Sequence, residues 1–423
     1  MNRKKVIQQN YFKLFGISLI VGLLSSLLAL ALRYITEKTE HHVFSFISNT
    51  NPLLFIIFPT IGITIIYFLR KFVFKGRKNK GITEIYKTLD LRKDHLPLFK
   101  IPSHFINGFL TVIFGGSSGI EVSTVVSTAT IGNEIYKKNY SAKLYKRELI
   151  CAASAAGVAI LFSSPLAGLL FGIEVISRKF KKTILISCMG STLVAAFFLY
   201  ILGNEPIIPQ ELTDWQWKSV PFFILLSFFA GLFAVGFTLL VIHTKSFFGN
   251  INNNFIRVNL GAISVGLLIY YFPVLFGDSY HGLNEILSSE SNSIWYLLLL
   301  IFLKPLASSL TLGAGGDGGV FAPSIIAGAF MGLTMAIFCK TVLHMDINPI
   351  NFALIGAGSA LSAAIYAPLT SIILICNIAP NGYILIIPLL VCCFISKFFA
   401  NKLLPYNVYT YDMYKDNLNK SSI

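Results

Sequence analysis

Acidic residues are scarce in this chain. Asp and Glu total 19 among 423 residues, against 34 Lys and Arg, and charged residues make up only 13%. A soluble domain carries about 25%, so a water-facing globule is a poor reading of this composition. Cysteine is limited to Cys151, Cys188, Cys339, Cys376, Cys392 and Cys393. All six lie in apolar segments without metal-type spacing, so they read as small core residues and imply no disulfide framework. The seven histidines, His41, His42, His95, His104, His243, His281 and His344, are scattered, and His104 reads as a packing residue. There is no HExxH motif and no Ser/His/Asp cluster, which sets aside the common hydrolase and metalloprotease readings. Low-complexity segments are absent. The tail after Ala400 is short, so no large regulatory module is expected there.

What is present is apolar. Hydrophobic residues make up 55%, gathered in runs such as Leu14–Leu32, Leu53–Phe68, Phe222–Ile242, Ile294–Leu312 and Tyr383–Phe399. Each is near the length that crosses a bilayer, about 20 residues. These runs predict an all-α polytopic protein of a cell membrane (inner or plasma). Gly, Pro and Ser interrupt the runs, which lipid tolerates only where neighbouring helices or a wet cavity satisfy the freed backbone. The net charge of +15 resides largely in short basic runs between apolar segments: Arg3–Lys5, Arg70–Lys80, Lys137–Arg147 and Arg178–Lys182. Such runs are orientation signals of membrane loops rather than a nucleic-acid surface. The start, MNRKK, lacks a cleavable-signal pattern, and a cytoplasmic N-terminus is expected.

The chain resembles itself. Gly115-Gly116-Ser117-Ser118-Gly119-Ile120 is similar to Gly315-Gly316-Asp317-Gly318-Gly319-Val320 at an offset of 200. Ser164-Pro165-Leu166-Ala167-Gly168 is similar to Ala367-Pro368-Leu369-Thr370-Ser371. Two repeats, about 12–203 and 214–400, are expected within one membrane domain, with 401–423 as a C-terminal helix and tail. Repeats with glycine-interrupted helices at matching positions predict a transporter with its site where the halves meet. The glycine clusters precede helix-like stretches, Val122–Tyr136 and Phe321–Phe338. A helix N-terminus inside a membrane offers free N–H groups and a positive dipole end, which suits an anion. One acid, Glu121, stands in the first cluster's apolar run, and intramembrane acids are functional by default.

At these residues the chain resembles the CLC family of chloride channels and chloride/proton antiporters, from the first long helix to about Met413. GGDGGVFAP, Gly315–Pro323, is similar to the family's GxFxP segment; AAGVAILFSSPLAGLLFGIE, Ala155–Glu174, and FALIGAGSALSAAIYAPLTSIILI, Phe352–Ile375, resemble its paired helices. The resemblance implies a fold of two inverted repeats with broken helices, about 17–18 membrane helices, and a homodimer with one pathway per subunit. It implies a gating role for Glu121, whose motif reads Gly119-Ile120-Glu121-Val122-Ser123 where the family usually has GREGP. It implies anion contact by the N–H groups of Val320, Phe321 and Ala322, with Gly81, Ile82, Gly119, Ile120 and Val122 as further anion-binding positions. The counterpart of the family's GSGIP-like helix start is Asn79-Lys80-Gly81-Ile82-Thr83, which puts Lys80 at the serine position. Lys80 there either binds the anion, pairs with ionised Glu121 or with a cytoplasmic vestibule charge, or snorkels to water. The family's tyrosine ligand falls on Tyr409, with Tyr406 and Tyr411 as rivals.

The family's exchangers often carry a second glutamate directly after the one matched here by Glu174. Val175 stands in its place and relays no proton, so passive chloride conduction is the expectation, with chloride/proton exchange as the alternative. A fluoride-selective variant replaces the central serine by an apolar residue, which lysine is not. No metal, nucleotide or redox cofactor is expected. A membrane enzyme or a non-transporting scaffold is the alternative from outside the class.

Overall fold

The first helix, α1 (Arg3–Thr50), is more than twice the length a bilayer requires. No glycine or proline lies between Gly22 and Pro52, so nothing ends the helix at the polar stretch after Leu32. The expected span Leu14–Leu32 is therefore only its middle. The structure is a computed structural model describing residues 3–77, 79–90, 94–138, 145–203, 206–289 and 293–421. Lys78 and residues 139–144, parts of two basic runs, lie outside the described residues, as do the side chains of Arg3–Lys5.

After α1 come α2 (Leu54–Phe68), α3 (Ile82–Asp90), α4 (Lys100–Ile113), α5 (Glu121–Lys138), α6 (Lys146–Leu161), α7 (Pro165–Phe171), α8 (Lys182–Leu202) and α9 (Val220–Gly249). The chain continues through α10 (Asn254–Tyr271), α11 (Tyr280–Ser288), α12 (Ile294–Ala314), α13 (Phe321–Thr341), α14 (Pro349–Ile365), α15 (Pro368–Ile378), α16 (Ile386–Leu403) and α17 (Tyr411–Ser421). No strand occurs among the described residues. Eight helical segments among them are long and apolar enough to cross a membrane, and three further apolar helices are shorter. The all-α, multi-pass reading holds.

The helices form two compact units. The first comprises Met1–Ile35, Asn79–Ile106 and Glu121–Glu205; the second comprises Thr36–Lys78, Asn107–Ile120 and Pro206–Ile423. In the first, α1 packs on α6 and α8 through Leu14, Val21, Leu149, Ala152 and Ala153, and through Ala29, Ala159, Ile160 and Ala195. In the second, Ile63, Val258, Ala262 and Ala314 knit α2, α10 and α12. The most buried pair there is α13 with α14, where a Cβ on Gly332 would overlap the Phe352 carbonyl. Small residues let these backbones touch, the usual means of packing helices without water to drive it.

Several buried hydroxyls bond within their own helix. Ser154, Thr128, Thr130 and Ser371 each donate to the carbonyl four residues earlier. This is how polar side chains sit in a membrane core at low cost.

Candidate anion site

Both glycine loops lie in the second unit, and each begins the same way. Gly115 (φ +84) ends α4 and Gly315 (φ +112) ends α12 in the left-handed conformation that glycine adopts without strain. Gly116 N–H then donates to the Thr111 carbonyl at 2.7 Å and Gly316 N–H to the Thr311 carbonyl at 2.9 Å. The loops also hold one another. Ser117 N–H donates to Thr311 Oγ1 at 3.1 Å, and Asp317 N–H donates to Thr111 Oγ1 at 2.9 Å. Ser118 Oγ accepts from Gly319 N–H at 3.1 Å and donates to the Gly319 carbonyl at 3.2 Å. Gly119 is buried at the end of the first loop and Ile120 is half-buried.

The second loop delivers the chain to α13. Val320 is its N-cap, and Val320, Phe321 and Ala322 are all buried. Val320 N–H donates to the Tyr409 hydroxyl oxygen at 3.2 Å, and the Phe321 and Tyr409 rings lie 6.1 Å apart. Tyr409 is 5% exposed, whereas Tyr406 and Tyr411 are half-buried and stack on each other at 5.2 Å. Of the three tyrosines, Tyr409 is the one beside the α13 start. Amide donors, the positive end of a 21-residue helix and a phenol hydroxyl thus converge.

The first unit holds the remaining residues. Glu121 is the first residue of α5 and only 4% exposed. The expected stretch Val122–Tyr136 thus starts one residue earlier, with the acid in the first turn where the dipole favours it. Gly81, just before α3, lies against Val122, so that a Cβ on it would stand 3.1 Å from Val122 Cγ1. The starts of α3 and α5 therefore meet, and Ile82 and Val122 are both buried there.

Lys80 is exposed, and its backbone N–H donates to Glu84 Oε1 at 3.3 Å, closing the α3 start. The buried cation behind that helix start is a different lysine. Lys100, 3% exposed, donates to Glu84 Oε1 at 2.7 Å and to Asn79 Oδ1 at 3.1 Å. His104 Nε2 stands 3.9 Å from the other Glu84 oxygen. Sequence reasoning passed over Lys100, although a lysine between Leu-Pro-Leu-Phe and Ile-Pro was the available signal.

Val175 lies in the π-helical turn that continues α7, is 3% exposed, and accepts the Tyr86 hydroxyl hydrogen on its carbonyl at 3.0 Å. Arg178 covers the Tyr86 ring at 4.1 Å. Arg178 and Arg147 both bond Asp90, and these residues with Leu89, Ser177 and Lys179 line a cavity of about 580 Å³.

Another lysine that sequence reasoning passed over is Lys304, fully buried in α12 within the apolar run Ile294–Leu312. It donates to Ser117 Oγ at 2.8 Å, Ser279 Oγ at 2.7 Å and the Gly277 carbonyl at 3.1 Å. An ionisable group in such a run is itself the signal.

Residues 61–401 match the family described as "Voltage gated chloride channel". The H(+)/Cl(-) exchange transporter ClcA of Vibrio vulnificus (strain YJ016) is 27% identical over 399 residues, covering 89% of this chain and 83% of that protein. The crystal structure of a slow cyanobacterial Cl-/H+ antiporter superposes with a TM-score of 0.81 at 22% identity, covering 97% and 99% of the two chains. A CLC-type fluoride/proton antiporter superposes with a TM-score of 0.77 at 20% identity, covering 97% and 98%. At these identities the superpositions speak for a shared fold.

Proposed function

As this chain belongs to the family of voltage gated chloride channels, we propose that it carries chloride across the membrane in exchange for protons. The observation that carries the reading is the α13 start, where the Val320 amide donates to the Tyr409 oxygen beside Phe321. An anion arriving there is offered the donors of Val320, Phe321, Ala322 and the Tyr409 hydroxyl in place of part of its hydration shell. Gly81, Ile82, Gly119, Ile120 and Val122 supply the backbone around the gate. Glu121, an acid buried at a helix start, competes with the anion for the pathway when ionised and withdraws when protonated.

Exchange replaces passive conduction as the preferred reading. Val175 argued for a channel, but the curated relatives and the solved structures carry exchanger and antiporter names. The proton then reaches Glu121 without a carboxyl at position 175, by water or by other side chains. Lys80, exposed beside the α3 start, acts as an attractive charge for incoming anions rather than as a ligand. The pathway forms between two inverted repeats, 12–203 and 214–400, and the chain works as a homodimer with one pathway in each subunit.

The test is reconstitution in liposomes with chloride and proton fluxes recorded together. A chloride gradient is expected to drive protons uphill, and Glu121→Gln to stop proton movement while chloride still flows. Chloride flux with no proton movement in the unaltered protein overturns exchange and restores the passive pathway.

A further inference from the structure

Glu40 meets Asp278, 238 residues along the chain, and the nearby His281 in the second unit. A carboxylate oxygen of Glu40, one of Asp278 and a ring nitrogen of His281 all lie within 4.8 Å of one another. Glu40 is buried, while Asp278 and His281 are half-buried, which leaves the cluster a route to solvent.

The surroundings are shaped to the cluster. Glu40 Oε1 accepts from the Asp278 N–H at 3.3 Å. Gly277 turns the chain with φ +55, and any Cβ on it would overlap that same Glu40 oxygen. The His281 ring packs 4.4 Å from the Phe44 ring and hydrogen-bonds the Pro273 backbone. Its Nε2 is buried with no hydrogen-bond partner, and an orphaned buried nitrogen calls for an explanation. In the neutral tautomer that donates to the Pro273 backbone, the other ring nitrogen carries a lone pair.

The geometry points to a binding site for a divalent transition-metal ion of the Zn2+ class at Glu40, Asp278 and His281. One imidazole and two carboxylates make a three-ligand set with a further position for water. Imidazole selects against Ca2+ and Mg2+, which take oxygen ligands. Bonds of about 2.0–2.2 Å place ligand atoms roughly 3.5 Å apart around one ion, so a separation at the 4.8 Å limit closes by about 1 Å on binding. A hydrogen bond from the imidazole to a backbone carbonyl is the usual support for a metal-bound histidine. Lys304 stands near the same carboxylates and opposes a dication through space, so affinity is lower than for the same ligands without it.

The purified full chain is titrated with Co2+ and followed by its ligand-field absorption, then Zn2+ is added in competition. One saturable Co2+ site per chain, displaced by Zn2+, is expected. Losing an outer-shell partner alone weakens a metal site about 10–100-fold, so Asp278→Asn and His281→Gln are each expected to weaken Co2+ by at least about tenfold. A His41→Ala/His42→Ala control keeps the site. Should Asp278→Asn not fold, the half-buried His281→Gln carries the test alone, alongside Zn2+ X-ray absorption on the unaltered protein showing nitrogen and oxygen ligands without sulfur. No saturable Co2+ binding, binding unchanged by the available variants, or sulfur in the zinc shell overturns the site.

Discussion

Thr111 and Thr311 each cap the other's glycine loop. The hydroxyl of Thr311 accepts the Ser117 N–H at 3.1 Å, and that of Thr111 accepts the Asp317 N–H at 2.9 Å. Each hydroxyl also donates to a carbonyl four residues back in its own helix, at Asn107 and Ala307. The two sequence motifs are thus joined as one object, with donors and acceptors exchanged in pairs.

Removing either hydroxyl leaves a buried loop N–H without its acceptor, a cost of about 1–3 kcal/mol. Thr111→Val and Thr311→Val are each expected to lower the melting temperature in detergent, while Thr→Ser at either position largely preserves it. Because the loops share contacts, the double variant should depart from the sum of the singles. Additive losses would mean the loops are held independently.

Tyr409→Phe removes the oxygen that accepts the Val320 N–H but keeps the ring against Phe321. Weaker anion binding by calorimetry is the expected result, with a lower melting temperature because the buried Val320 N–H loses its acceptor. Tyr406→Phe and Tyr411→Phe, whose rings stack on each other instead, should leave anion binding unchanged.

Lys80 and Lys100 invite a direct comparison. Lys100→Met strands Glu84 in a buried setting, and removing one partner of such a pair costs about 3–5 kcal/mol. Loss of folded protein or a large drop in melting temperature is expected. Lys80→Ser removes an exposed charge. It should slow chloride uptake at low ionic strength and have little effect at high salt, where the screening length falls to about 3 Å at 1 M. A Lys80→Ser effect that persists at high salt would instead make Lys80 a ligand.

Asp90 supplies a pH signature. Burial raises its pKa, but hydrogen bonds from Arg147 and Arg178 and their charges outweigh this and hold the carboxyl below the usual range. The folded value lies beneath the unfolded one, near 3.9, so this contribution is complete above that pH and fades as pH falls through the folded value. Asp90 is partly exposed, so the effect is modest. Asp90→Asn should melt earlier than the unaltered protein near neutral pH, with the gap narrowing below about pH 4.

The sequence by itself determined the lipid-soluble class, the helices and the glycine breaks. These follow from local causes: apolar runs of bilayer length, and glycines where a helix must stop in the left-handed conformation. It also singled out Glu121, because an acid in an apolar run is conspicuous without any structure. It did not reveal that Lys100 rather than Lys80 is the buried cation behind α3, since burial depends on what α4 packs against. Lys304 and Thr111 with Thr311 escaped for the same reason: their partners lie in distant segments. Asp278 and His281 are neighbours along the chain, but only tertiary folding brings Glu40, 238 residues from Asp278, within reach of the same ion. Patterns that repeat within a few helical turns are written in the order of residues, whereas charge pairing and ligand geometry arise between helices and exist only once those helices have packed.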